Sequence, residues 1–156
     1  MTGQQAYLKL TALCARSEHC QQEMLDKMRQ WGVSEEEQAQ VMQRLVNERY
    51  VDDERFTRAF VNDKIRYNKW GRRKVEQALW MKHIDEHIAR TILDEVDDEE
   101  YTATLTPMLK QKRRTTKANS DYELNMKLIK FALSRGFTMD IIKQCLDVED
   151  ESEFLD

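Results

Sequence analysis

The sequence predicts an all-α fold, an elongated array of three tandem three-helix repeats, and three observations carry that prediction. Charged residues make up 35% of the 156-residue chain, with four glycines and one proline, a balance that favours helices joined by short turns. Apolar residues recur three and four positions apart, as a helix that buries one face requires. The third observation is a repeat. Counted from Val33, Ile84 and Phe137, apolar residues stand nine before (Met24, Val75, Leu128) and five before (Met28, Leu79, Ala132). They stand again eight and nine after, at Val41 and Met42, Ile92 and Leu93, and Cys145 and Leu146. Helical periodicity fixes spacing within a helix but not across a turn, so a threefold match that crosses a turn points to a repeated unit. Each unit is too small to bury its own face and leans on its neighbours.

The first repeat, 1–49, starts with a helix over Tyr7 to Arg16, on which Tyr7, Leu10, Leu13 and Cys14 share a side. Ser17 then offers an N-cap for a second helix from Glu18, with Cys20, Met24, Leu25, Met28 and Trp31 in register until Gly32, a residue suited to a left-handed C-terminal turn. Ser34 and Glu37 have capping-box spacing before a third helix marked by Val41, Met42, Leu45 and Val46. The second repeat, 50–97, opens at Tyr50 and Val51. Asp52 or Asp53 caps a helix carrying Phe56, Ala59 and Phe60, and both read as capping residues rather than catalytic ones. Gly71 breaks the chain before a stripe of Val75, Ala78 and Leu79. A further turn precedes Asp85, again a good cap.

The third repeat, 98–148, begins after the acidic connection of Asp97, Asp98, Glu99 and Glu100. Pro107 falls inside the helix otherwise drawn from Asp98 to Arg113, and is expected to kink it or restart it with Thr106 as cap. Arg114 to Ser120 reads as a loop, after which helix resumes at Asp121. Residues 149–156 read as a frayed acidic tail.

The formal net charge is −4, so the chain as a whole is no generic polyanion binder. Charge is uneven, however. From Glu54 to Lys74 there are eight basic residues against two acidic ones, a local excess of +6. Arg66, Lys69, Arg72, Arg73 and Lys74 lie there beside Tyr67 and Trp70, an arrangement in which cations can meet phosphate while aromatics stack on bases. The other reading is a solvated helix end with Trp70 packed on a neighbouring unit. A second cluster, Lys112, Arg113 and Arg114, belongs to a run that otherwise reads as a solvated helix end.

Several chemistries are disfavoured. No stretch approaches the roughly 20 apolar residues of a membrane span. Three cysteines without a framework spacing fit free thiols in a reducing compartment, so a cytoplasmic protein is expected. His83-Ile84-Asp85-Glu86-His87 matches the H-x-x-E-H spacing of one class of zinc peptidases, but the repeat puts His83 in a turn and His87 in the next helix. Cys14, His19 and Cys20 lack an evident fourth ligand and read as core thiols beside a histidine. Neither a phosphate-binding glycine loop nor a nucleophile elbow is present, and no metal, cofactor or catalytic residue is expected.

Tyr50-Val51-Asp52-Asp53-Glu54-Arg55-Phe56 with Ala59 and Phe60, then Gly71-Arg72-Arg73-Lys74-Val75 with Leu79 and Lys82, resembles the signature of the bacterial RecX regulatory proteins. The likeness extends to Arg16-Ser17-Glu18-His19, Trp31-Gly32-Val33 and Leu133-Ser134-Arg135-Gly136-Phe137, and covers roughly Ala6 to Leu146. It implies a non-enzymatic negative regulator of the RecA recombinase. Such a protein binds in the groove of the RecA–DNA filament and restrains ATP hydrolysis, strand exchange and co-protease activity, and so acts in DNA repair, homologous recombination and the SOS response. On this reading the chain is a monomer whose contacts to the filament, and to DNA within or near it, are Arg66, Lys69, Arg72, Arg73, Lys74, Lys112, Arg113 and Arg114. The alternative is a stand-alone helical DNA-binding protein. His83 departs from the family pattern, occupying a turn position where glycine is usual and where Gly32 and Gly136 stand in the other repeats.

Overall fold

Each repeat folds around the same turn. In the computed structural model, which describes residues 1–146, nine α-helices are found among the described residues: α1 (Gly3–Arg16), α2 (Gln21–Gln30), α3 (Glu35–Asn47), α4 (Asp53–Arg66), α5 (Arg72–Met81), α6 (Glu86–Asp94), α7 (Asp98–Thr115), α8 (Asp121–Ser134) and α9 (Met139–Cys145). The tail expected at 149–156, with the last two residues of the third repeat, lies outside the described residues. At the end of α2 the Val33 N–H donates to the Met28 carbonyl at 3.0 Å and the Gly32 N–H to Arg29 at 3.1 Å. After α5, Ile84 donates to Leu79 and His83 to Trp80; after α8, Phe137 donates to Ala132 and Gly136 to Leu133. This crossed pair of bonds satisfies the last helical carbonyls and demands a left-handed residue at its centre. Gly32, His83 and Gly136 take φ of 72°, 57° and 92°.

The residue after each turn is buried and the next one caps the following helix. Ser34 Oγ accepts from the Glu37 N–H, Asp85 Oδ1 from His87 and Ile88, and Thr138 Oγ1 from Ile141. The apolar offsets that define the repeat mark the core. Met24, Val75, Leu128, Met28, Leu79 and Ala132 are all fully buried. Burying a Leu or Met side chain contributes roughly 1.5–3 kcal/mol. The pattern that repeats in sequence is therefore the pattern that holds the helices together.

The chain divides into two compact units, one comprising Met1–Phe60 with Leu79–Ile92, the other Val61–Ala78 with the chain from Leu93 onward. In the first, α1 and α2 pack on α3 over Ala6, Leu10, Met24, Met28, Val41 and Leu45. The Tyr50–Phe56 stretch closes this unit. Asp52 Oδ1 caps α4 through the Arg55 N–H at 3.0 Å, while Asp53 Oδ1 accepts from Gln21 and so supplies a cap to α2. Arg55 Nε binds Glu18 at 2.6 Å, and its Nη2 donates to the carbonyls of Arg49 and Tyr50. In the second unit α7, α8 and α9 pack on one another over Leu105, Leu128, Ile142 and Phe137.

The structure corrects the sequence reading in four places. Helix α1 begins a turn earlier than Tyr7, because Thr2 and Gln5 form a capping box. Ser17 does not cap α2: its hydroxyl pairs with the His19 ring at 3.2 Å, and α2 starts after Cys20, whose N–H donates to Glu23. The Ser34–Glu37 box closes in one direction only, since a Glu37 carboxylate oxygen accepts instead from the Gly3 N–H. Helix α7 continues through Pro107 without restarting at Thr106. Pro107 is exposed, and the buried residues Tyr101, Leu105 and Leu109 anchor the helix on either side of it.

Candidate functional site

The described residues of the second unit carry an excess of positive charge. Over 61–78 and 93–146 it has 15 basic and 11 acidic residues, a net +4, whereas the first unit has 10 basic and 12 acidic, a net −2. Its most basic segment is where α5 begins, and the reason α5 begins there is Gly71. The Gly71 N–H donates to the Arg135 carbonyl and the Arg73 N–H to the Gly136 carbonyl, both at 2.9 Å. Two unpaired amides of α5 thus meet two unpaired carbonyls past the end of α8, an alignment of opposite dipole ends. The backbones touch: a Cβ on Gly71 would overlap Gly136 and the Phe137 nitrogen.

That junction places Arg72, Arg73 and Lys74 in the first turn of α5, where no acidic residue stands. Cations at a helix N-terminus oppose the macrodipole and cost roughly 0.3–1 kcal/mol each. Arg72 offsets that cost through carboxylate partners, whereas Arg73 has no ion pair among the described residues.

The eight basic residues singled out from the sequence separate into distinct environments. Arg72 is half-buried, with Nε 2.7 Å from Glu76 Oε1 and Nη2 2.7 Å from Asp94 Oδ1. Burial alone would lower its pKa, but these two carboxylates outweigh it and raise it. Arg113 donates to Oδ1 of Asn125, a buried amide, at 3.1 Å. These two arginines have structural partners. Lys74 Nζ lies 4.6 Å from the Trp70 ring centroid and Lys112 Nζ 5.1 Å from that of Phe131, contacts that hold the ammonium groups in place without neutralising them. Arg66 meets Glu100 at 3.4 Å in an exposed pair of the kind that contributes little. Lys69, Arg73 and Arg114 are exposed and have no ion pair among the described residues. Lys112, Arg113 and Arg114 close the last turn of α7, where the macrodipole favours cations, so helix stability alone accounts for their position.

Two cations were missed in the sequence. Lys64 lies 5.0 Å from the Trp70 centroid, and Arg135 Cζ lies 5.0 Å from that of Phe131. Trp70 and Phe131 each therefore carry a pair of cations. The i, i+4 spacing of Phe131 and Arg135 was the available signal; the Lys64–Trp70 contact depends on the intervening turn. In the first unit, Trp80 and Met81 are 77% and 67% exposed, in keeping with their place off the buried stripe of α5.

His83 stands in its left-handed turn and His87 in the first turn of α6, so the two imidazoles do not share a helix face as zinc-peptidase chemistry requires. Cys14 and Cys20 belong to separate segments, and burial pushes the Cys20 thiol up to about 11. Among the described residues no cluster of three or more His, Cys, Asp or Glu could hold a metal, and no helix is long and apolar enough to cross a membrane.

Three family models match the chain: the RecX first three-helix domain over residues 6–45, the second over 52–93 and the third over 98–146. A protein of Acinetobacter baylyi named Regulatory protein RecX is 31% identical over 141 residues, covering 90% of this chain and 86% of that protein. One from Chlorobium limicola with the same name is 32% identical over 141 residues, covering 89% and 84%. A longer Bacillus mycoides relative is 22% identical over 151 residues, and the chain spans 56% of its length. The crystal structure of RecX from Lactobacillus salivarius shares the fold at a TM-score of 0.84 and 18% identity, over 92% of this chain and 94% of that one. With all three repeats matched in order, and identity above 30% to relatives of similar length, the chain belongs to the RecX family of regulatory proteins.

Proposed function

We propose that this protein is a non-enzymatic negative regulator of RecA that binds the RecA–DNA filament and restrains its ATP hydrolysis, strand exchange and co-protease activity. The supporting observation is the asymmetry of charge, a net +4 over 61–78 and 93–146 within a chain of net −4, six of whose acidic residues fall in 147–156. A surface of that kind is drawn to phosphate locally, while the acidity of the whole chain opposes unassisted binding to bare DNA. Dependence on a nucleoprotein partner follows. The contacts to the filament are assigned to Lys69, Arg73, Lys74, Arg66, Lys112 and Arg114, with Arg72 and Arg113 holding structure behind them. The repeats at 1–49, 50–97 and 98–148 give one chain several surfaces, so that successive filament subunits can be engaged at once.

Binding to fluorescently labelled single-stranded DNA, measured with and without RecA and ATP across a salt series, tests this reading. Association that is weak on bare DNA and strengthened when RecA coats the strand supports it. Tight, steeply salt-dependent binding to bare DNA, unchanged by RecA, overturns it and identifies a stand-alone DNA-binding protein.

A further inference from the structure

The α4–α5 loop separates two aromatic residues that the sequence left equivalent. Trp70 is half-buried and carries Lys64 and Lys74 on its ring at 5.0 and 4.6 Å. Tyr67 is 77% exposed and its ring has no aromatic or cation partner among the described residues. Arg66 precedes it and Lys69 follows two residues later; the nearby acids are Asp63, one turn back on α4, and Glu100, which meets Arg66 at 3.4 Å in an exposed pair. Lys69 is held at a φ of 59°, a conformation that glycine takes without strain. The loop is fixed there by the Trp70 N–H donating to the Lys64 carbonyl at 3.0 Å and the Asn68 N–H to Asp63 at 3.3 Å. Strained non-glycine residues held by their surroundings cluster at binding sites.

A second exposed tyrosine supplies the contrast. Tyr122 is 62% exposed but sits between Asp121 and Glu123, an environment that repels a polyanion. Tyr67, by contrast, combines an open aromatic face with flanking cations on a fixed loop. Cations alone read the phosphates of duplex and single strand alike; a free aromatic face adds affinity only for a base that is not already stacked inside a duplex.

We infer that Tyr67 is a stacking platform for an unpaired nucleobase, with Arg66 and Lys69 holding the phosphates on either side of it. The site deepens the proposal that this surface meets filament DNA, and rests on it in that respect. Its ligand class is single-stranded nucleic acid with exposed bases.

Affinities of the full chain for oligo-dT and for an abasic oligomer of the same length, at low salt and without RecA, test it. Wild type binds oligo-dT roughly fivefold to a hundredfold more tightly than the abasic strand. Tyr67→Ala brings that ratio to about one with the salt dependence of both strands unchanged, Tyr67→Phe keeps it, and Tyr122→Ala leaves it as in wild type. Equal wild-type affinity for the two strands, a ratio unmoved by Tyr67→Ala, or no measurable binding to either strand overturns the inference. RecA ATPase followed with the same preparations keeps the two ideas apart. A protein that restrains ATPase without base preference loses only the stacking site, and one with base preference but no effect on ATPase loses the regulatory reading.

Discussion

Gly71 and Gly136 are packed backbone to backbone, so that a methyl group on either would strike the other's segment. A Cβ at Gly136 would stand 2.5 Å from Lys74 Cβ and 2.6 Å from the Lys74 nitrogen, and one at Gly71 would overlap Gly136 itself. The contact aims the start of α5, and with it the basic first turn, through two hydrogen bonds of 2.9 Å. Gly71→Ala and Gly136→Ala are each expected to cost roughly 3–5 kcal/mol, from overpacking plus loss of the paired bonds. Urea unfolding measures this. Because both changes break one contact, the double variant falls well short of the sum of the singles.

The three equivalent turn positions differ in the space around them, and their substitutions should rank accordingly. A Cβ at Gly32 would meet nothing within 4 Å, so Gly32→Ala carries only the strain of a positive φ, about 1 kcal/mol. His83 already bears that strain at φ 57°, and His83→Gly is expected to raise stability by roughly 0.5–1 kcal/mol. Thermal unfolding of the two variants beside Gly136→Ala gives the order directly.

Neighbouring arginines should behave differently. Arg72, half-buried between Glu76 and Asp94, is expected to cost about 1–2 kcal/mol when changed to alanine. Exposed Arg73 should cost within about 0.5 kcal/mol as Arg73→Ala, with its effect appearing in filament binding instead. Paired unfolding and binding measurements on the two variants separate a structural residue from a contact residue.

Burial raises the Cys20 thiol from its ordinary 9.0 to about 11 and the Tyr101 phenol from 10.0 to about 12. Above pH 9 the unfolded chain gives up protons that the folded chain retains, so stability falls as pH rises. Stability is expected to be insensitive to these two groups below pH 9, and to decline through about pH 11 for Cys20 and about pH 12 for Tyr101. Unfolding of wild type and Cys20→Ala across that range should show a shallower alkaline decline in the variant. Slow alkylation of Cys20 by iodoacetamide at neutral pH is the matching chemical observation.

The repeat was legible because it depends on short-range chemistry. Met28, Val33 and Ser34 specify a helix end, a turn and a cap within seven residues, and Leu79, Ile84 and Asp85 do so again in the next repeat. Interactions between distant segments were not legible. Asp53 caps α2 from 32 positions away, which is why Ser17 looked like the cap, and the Gly71–Gly136 approach leaves no mark on local spacing. Pro107 read as a kink or a restart at Thr106, and the restart fails because local rules weigh its missing N–H without seeing the buried face that holds α7 on both sides. For the site, the charge excess was visible in the sequence, but the division into paired arginines and open cations depends on Asp94, Glu100 and Asn125, which meet them only after folding.

The most direct test is RecA ATPase on single-stranded DNA, titrated with wild type and with a variant carrying Lys69→Glu, Arg73→Glu and Arg114→Glu. All three residues are exposed and without an ion pair among the described residues, so the variant should unfold at nearly the wild-type denaturant concentration. We predict that wild type slows hydrolysis and that the folded variant needs at least about tenfold more protein for the same effect, as expected if each reversal removes a contact of roughly 0.5 kcal/mol or more. Equal inhibition by the two proteins would contradict the assignment of this basic surface to the filament.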